Sequence, residues 1–273
     1  MLAELSSPSS AIPGLELGDV MQFLLIFFFS MLRIGAFVVS APLFSATFIP
    51  LLVRIIIAVC LTVPLISAIP IPGPDALASA PGVAWALREL AIGLAAGLLL
   101  QILFAVAVIA GDRIANTAGL GLAAQVDPNT GAQSPVIGQF FTLFLIAIFL
   151  SLDGHLAAIG LILESYRLIP IAAPLSTGAL VAAGTGAASA MFLGAAQVMM
   201  PVVAILLILN FIIGVITRSA PQLNIFAFGF PLTMSATLVL LFLTTTGLGY
   251  AFSGLTDEAL ARLAAMLREA SGG

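Results

Sequence analysis

The chain has 273 residues, 62% of them apolar and only 7% charged, and its eight basic and twelve acidic side chains leave a net charge of −4. A soluble domain carries roughly a quarter charged residues, so this composition excludes a water-soluble body as well as intrinsic disorder, which needs low hydrophobicity and high charge. The acidic balance offers no basic footprint for nucleic acid. What remains is a polytopic membrane protein.

Residues 1–20 carry Glu4, Glu16 and Asp19 but no basic side chain. A cleaved secretory signal opens on a basic stretch, so the first hydrophobic segment is expected to be retained. Six apolar regions follow, near 20–39, 48–69, 86–110, 136–163, 187–216 and 230–252. Each approaches the ~20 residues that cross ~30 Å of hydrocarbon. The second contains Pro50 and Pro64, the fifth contains Pro201, and Pro231 opens the sixth; proline kinks or ends a helix unless protein or water satisfies the freed carbonyl. The third holds Gly93-Leu-Ala-Ala-Gly97, a spacing that lets helix backbones approach closely. The fourth is interrupted at Asp153-Gly-His155, leaving open one long helix or two pieces.

These regions predict one membrane-associated helical domain over 1–252, followed by a short amphipathic helix in 253–273. There Thr256 reads as an N-cap, with Asp257 and Glu258 in the first turn. Leu260, Leu263, Ala264 and Leu267 share a face, and Glu258–Arg262 is an i,i+4 pair. The connecting loops are too short for a soluble nucleotide-binding domain, so energy must arrive through partners or an ion gradient.

Charges inside apolar segments ask for a reason, since each costs about 2.5–3.5 kcal/mol at the bilayer centre even on the lenient insertion scale. For Arg33 and Arg54, snorkelling and buried pairing both remain open. Arg88 and Glu89, adjacent at the start of the third region, are read as interfacial; Asp112 and Arg113 mark the water boundary after it. Asp153 and His155 fit a polar turn at a membrane face, with a proton relay as the alternative. A single histidine, a single cysteine (Cys60) and no His-Glu-x-x-His leave no zinc site or catalytic set in view. No enzyme activity, metal or cofactor is expected.

The polar joints form an ordered pattern. Arg33-Ile-Gly35 is followed by Ala41-Pro-Leu-Phe44, Ile49-Pro50, Arg54, Arg88-Glu-Leu-Ala-Ile-Gly-Leu94 and Ala110-Gly-Asp112. Next come Gly119-Leu-Gly-Leu-Ala-Ala-Gln-Val-Asp-Pro-Asn-Thr-Gly-Ala-Gln-Ser-Pro135, Asp153-Gly-His155, Pro201, Arg218-Ser-Ala-Pro-Gln-Leu-Asn-Ile-Phe226 and Gly229-Phe-Pro-Leu232. Between Arg33 and Leu232 the chain resembles the FliR family of flagellar biosynthetic proteins, whose counterparts in virulence secretion are the SctT proteins. The Val-Asp-Pro loop and Ala-Pro-Gln-Leu-Asn-Ile-Phe, in that order, are its most specific elements.

The resemblance implies an all-α export-gate subunit of a type III secretion apparatus in the bacterial inner membrane, at the flagellar basal body. It implies assembly with FliP and FliQ homologues into a channel for unfolded flagellar subunits, with FlhB and FlhA homologues cooperating. Bent helical hairpins would then pack subunit against subunit, with Arg33, Arg54, Gly93, Gly97, Pro221, Gln222, Asn224 and Phe226 in packing or structural roles. The family's pore plug maps to residues 112–131, which include Asn116, Leu120, Leu122, Gln125, Asp127 and Pro128. Two departures stand out. Leu122 and Gln125 occupy plug positions where relatives often carry phenylalanine, and Asp153-Gly-His155-Leu156 lacks the second histidine of the family's Asn-Gly-His-His. An injectisome gate is one alternative reading. A secondary transporter is another, although no repeat is evident and the midplane polar inventory reduces to little beyond Arg33, Gln101 and Asn210.

Overall fold

The computed structural model of the chain describes residues 17–46, 49–66, 69, 71–120, 136–220 and 228–272. All regular structure among them is helical: α1 (Leu17–Ser40), α2 (Leu51–Leu65), α3 (Pro74–Leu77), α4 (Ala80–Thr117), α5 (Val136–Ser151), α6 (Gly154–Leu168), α7 (Thr177–Ser219) and α8 (Phe230–Ala270). Among the described residues, four helices are long and apolar enough to cross a membrane: α1 over Val20–Ser40, and α4, α7 and α8. The bent pair α5–α6 could supply a fifth crossing.

The second apolar region forms only a 15-residue helix, about 22 Å long at 1.5 Å per residue and short of a crossing. Pro50 sets its start and Pro64 occupies its last turn. The fourth region resolves into two helices meeting at 68°. Asp153 adopts φ 54° at the junction, and the Phe149 ring lies 2.6 Å from where a Cβ on Gly154 would sit, so the turn leaves no room for a side chain there. The sixth region runs on without a break to Ala270, so the amphipathic turns around Leu263 belong to α8 itself. Thr256 does not cap a new helix; its hydroxyl donates to the Phe252 carbonyl inside α8. The Glu258–Arg262 pair forms as the spacing predicts, at 2.8 Å on the surface.

The chain divides into two compact units. The first comprises everything up to Gly97, residues 162–176 and the last residues from Leu267. In it α1 packs on α2 and α3, over a core of Phe29, Leu77 and Ile171 flanked by Trp85. The second unit holds the rest of α4, α5, the start of α6, α7 and most of α8. Its core is aromatic, with Phe104 edge-on to Phe149 at 5.1 Å and Phe252 meeting Phe141 and Phe144 at 5.8 Å. Only 17% of the most apolar stretch of α7, and the same of α8, is buried within the chain, against 56% for α4. Within this chain, therefore, α4 serves as a core helix, whereas α7 and α8 keep most of their apolar surface uncovered.

Candidate functional site

The end of α4 leads into the segment expected to gate a channel, and it is tied down more closely than a helix end requires. A helix leaves its last four carbonyls without internal partners. Here Gly119, at φ 86°, turns the chain into the left-handed region that glycine tolerates. The Leu120 N–H donates to the Ala115 carbonyl at 3.0 Å and the Gly119 N–H to the Asn116 carbonyl at 3.1 Å. These two bonds are the glycine-terminated Schellman closure of a helix. Two carbonyls remain, and different helices satisfy them. Asn210 Nδ2 on α7 donates to the Thr117 carbonyl at 2.9 Å, and Thr233 Oγ1 on α8 donates to the Ala118 carbonyl at 3.0 Å. The Phe230 ring lies 3.2 Å from where a Cβ on Gly119 would sit.

The far side of the same segment re-enters the described structure at α5, which crosses α4 closely. A Cβ on Gly111 would lie 2.5 Å from the Gly138 Cα, and one on Gly138 would lie 2.5 Å from Asp112 Oδ1. The Asp112 carboxylate thus sits at the first turn of α5, where the helix dipole favours negative charge. Among the described residues its buried Oδ1 has no hydrogen-bond partner.

A second polar cluster lies in the first unit. Arg33 is 0% exposed and Glu89 1%. Arg33 Nε donates to Glu89 Oε2 at 2.9 Å and Nη2 to Oε1 at 2.8 Å, a bidentate pair. Nη1 donates to Ser165 Oγ at 2.9 Å and Nη2 also to the Ile169 carbonyl at 2.8 Å. The guanidinium lies 4.1 Å from the centre of the Tyr166 ring, and the Tyr166 hydroxyl donates to the Ser30 carbonyl at 2.6 Å. Four hydrogen bonds and one aromatic face therefore hold the cation, which is what makes a buried charge tolerable.

The expected site residues fall into three sets. Arg33, Gly93 and Gly97 pack inside the chain: methyl groups on the two glycines would run into the Arg33 carbonyl and the Ser40 hydroxyl, so the Gly93–Gly97 face is where α4 meets the α1 backbone. Arg54 is likewise internal, with Nη2 donating to the carbonyls of Ser45, Ala46 and Ile49 at 3.0–3.2 Å and clasping the turn before α2. Asn116 is exposed on the last turn of α4, and Leu120 is half-buried just beyond it. Leu122, Gln125, Asp127, Pro128, Pro221, Gln222, Asn224 and Phe226 lie outside the described residues.

Glu89 corrects the interfacial reading: it is buried against Arg33, while Arg88 donates to the Ala173 carbonyl. Ser165 and Tyr166, just past the fourth apolar region, are buried near the end of α6. Their spacing gives no sign of Arg33, since the partners are more than 130 positions apart. Thr233 carries no sequence signal either, whereas Gly119 opens the loop that the family resemblance singles out. Among the described residues the buried Nδ1 of His155 has no hydrogen-bond partner, and no cluster of three metal-ligating side chains occurs.

The residue pattern of the family described as Bacterial export proteins, family 1, matches residues 24–259. The chain belongs to this family. FliR, the flagellar biosynthetic protein of Escherichia coli strain K12, is 32% identical over 223 residues, covering 81% of this chain and 84% of its own length. Its namesake in Bacillus subtilis strain 168 is 35% identical over 222 residues, covering 80% and 84%. The surface presentation of antigens protein SpaR of Shigella flexneri is 29% identical over a shorter stretch, 56% of this chain and 58% of its own. The family match takes in both polar clusters, from Arg33 through Thr233.

Proposed function

We propose that the chain is a subunit of the flagellar protein-export gate in the bacterial inner membrane. It acts with FliP and FliQ homologues to form the channel for unfolded flagellar subunits, alongside FlhB and FlhA homologues. The observation that carries this reading is the likeness to flagellar FliR proteins over four-fifths of the chain. The match to SpaR covers little more than half of it, which favours the flagellar machine over the injectisome. The uncovered apolar faces of α7 and α8 suit a protein whose neighbours are other subunits as well as lipid.

Residues 112–131 are the gate in this reading. Two features support it: the segment starts from a closely tied helix end, and it returns at α5, which crosses α4 through two glycines. Between these points the sequence 116–125 is small and uncharged, so it can block a pore sterically and move aside without breaking ion pairs. No step here makes or breaks a covalent bond, and the subunit acts as a conduit, not a catalyst.

Deleting residues 116–125 from the assembled complex should raise ion leakage across a planar bilayer. Unchanged conductance in a correctly assembled mutant refutes the gate. Purification only in isolation, with solute uptake into vesicles holding this chain alone, would overturn the export-gate reading in favour of a transporter.

A further inference from the structure

Asn210 and Thr233 do more than finish a helix. The Schellman closure already occupies the Ala115 and Asn116 carbonyls, and a water-facing helix end would leave the next two to solvent. Instead, α7 and α8 each send one neutral side chain to them. The two contacts differ in kind. Asn210 has one partner on α4, whereas Thr233 Oγ1 lies 3.0 Å from the Ala118 carbonyl and also 3.0 Å from the Phe230 carbonyl on its own helix. A hydroxyl carries a single proton, so it serves one of these acceptors at a time. Rotation about one bond moves the proton from α4 to α8 and leaves no orphaned donor behind.

We propose that Asn210 and Thr233 form a releasable latch on the C-terminal end of α4 that positions the start of the gate segment. Held, the latch fixes Thr117 and Ala118 against α7 and α8; released, the Thr233 hydroxyl turns to Phe230 and α4 is free to lift its last turn. Both are positioning residues, acting through the backbone of α4. The inference rests on the reading of residues 112–131 as a gate.

The test uses the chain assembled with its partner subunits and two readouts: leakage conductance in planar bilayers, and amide hydrogen exchange at Gly119 and Leu120. Thr233→Val keeps the shape and removes the proton; Asn210→Ala removes the other donor. One neutral hydrogen bond corresponds to about a fivefold change in an equilibrium, and two to about 25-fold. Exchange at Leu120 should therefore rise about fivefold in each single variant and about 25-fold in the double variant, with leakage rising in the same order. Thr233→Ser, which keeps the hydroxyl, should restore both readouts, a result that loss of packing alone would not produce.

Unchanged exchange in the double variant overturns the latch. Raised exchange with unchanged leakage, in a complex where deletion of 116–125 does leak, overturns the positioning role and leaves the gate standing. If that deletion does not leak, the gate reading fails and the exchange data alone decide whether the latch exists. Should the double variant fail to assemble, the two single variants carry the same comparison, and unchanged exchange in both overturns the latch.

Discussion

Around Arg33 a full charge is buried where α1, α4 and α6 meet, and four hydrogen bonds plus an aromatic face occupy it. At the end of α4, neutral side chains from α7 and α8 each hold one carbonyl, and one of them has a second acceptor within reach. The first arrangement is all-or-none, because removing either ion strands the other in a low dielectric. The second can be undone one bond at a time at small cost. The difference teaches where this chain is built to stay put and where it is built to yield.

The sharpest way to break that contrast is Glu89→Ala. It leaves Arg33 buried and unpaired, and should destabilise the protein by about 3–5 kcal/mol, seen as loss of folded protein in detergent melting curves. Replacing both partners, Arg33→Met with Glu89→Leu, should recover much of that loss; if it does not, the pair contributes more than the removal of its own burial cost. Next comes Gly93→Val, which drives a side chain into the Arg33 carbonyl and to within 2.8 Å of the Ala36 methyl group. Overpacking of this kind costs about 1–3 kcal/mol, whereas Gly160→Ala, with nothing within 4 Å, should raise the melting temperature slightly. Tyr166→Phe keeps the ring beneath the guanidinium and removes one hydrogen bond to Ser30, for a loss of about 1 kcal/mol in the same melts. Smallest is Arg262→Ala. Its pair with Glu258 is exposed on both sides, and stability should change by no more than about 0.5 kcal/mol, less at high salt. A large effect there would mean that the surface of α8 is covered in the assembly.

Much of this was legible in the residues. The length of the apolar runs located the long helices, and Asp153-Gly-His155 marked the interruption that the structure resolves as the bend between α5 and α6. The Gly93–Gly97 spacing flagged a close approach, though not that its partner is α1 of the same chain. Local pattern could not reveal Glu89 as the counter-ion of Arg33. Adjacent Arg88 and Glu89 look alike in sequence, and only the helix phase sends Glu89 inward. Nor could pattern separate the tail after residue 252 from the helix before it. Thr256 has the chemistry of a cap, but the preceding turn is already helical, so its hydroxyl bonds back to Phe252. The second apolar region yields only the 15-residue α2 among the described residues, because Pro50 sets its start and Pro64 sits in its last turn. Thr233 was invisible because threonine within an apolar helix ordinarily satisfies its own backbone, as Thr237 does.

One dimension of α7 separates two parts of the helix. Its exposed large apolar side chains, Val181 apart, run from Phe192 to Ile216, a distance of about 36 Å along the axis. A hydrocarbon layer of ~30 Å crossed at a steep tilt of about 40° accommodates only about 39 Å of helix. The apolar stretch fits such a layer, and the small-residue turns before it, residues 177–191, are left outside. Small side chains there let another backbone come close. Length thus divides one helix into a part shaped for lipid and a part shaped for close contact.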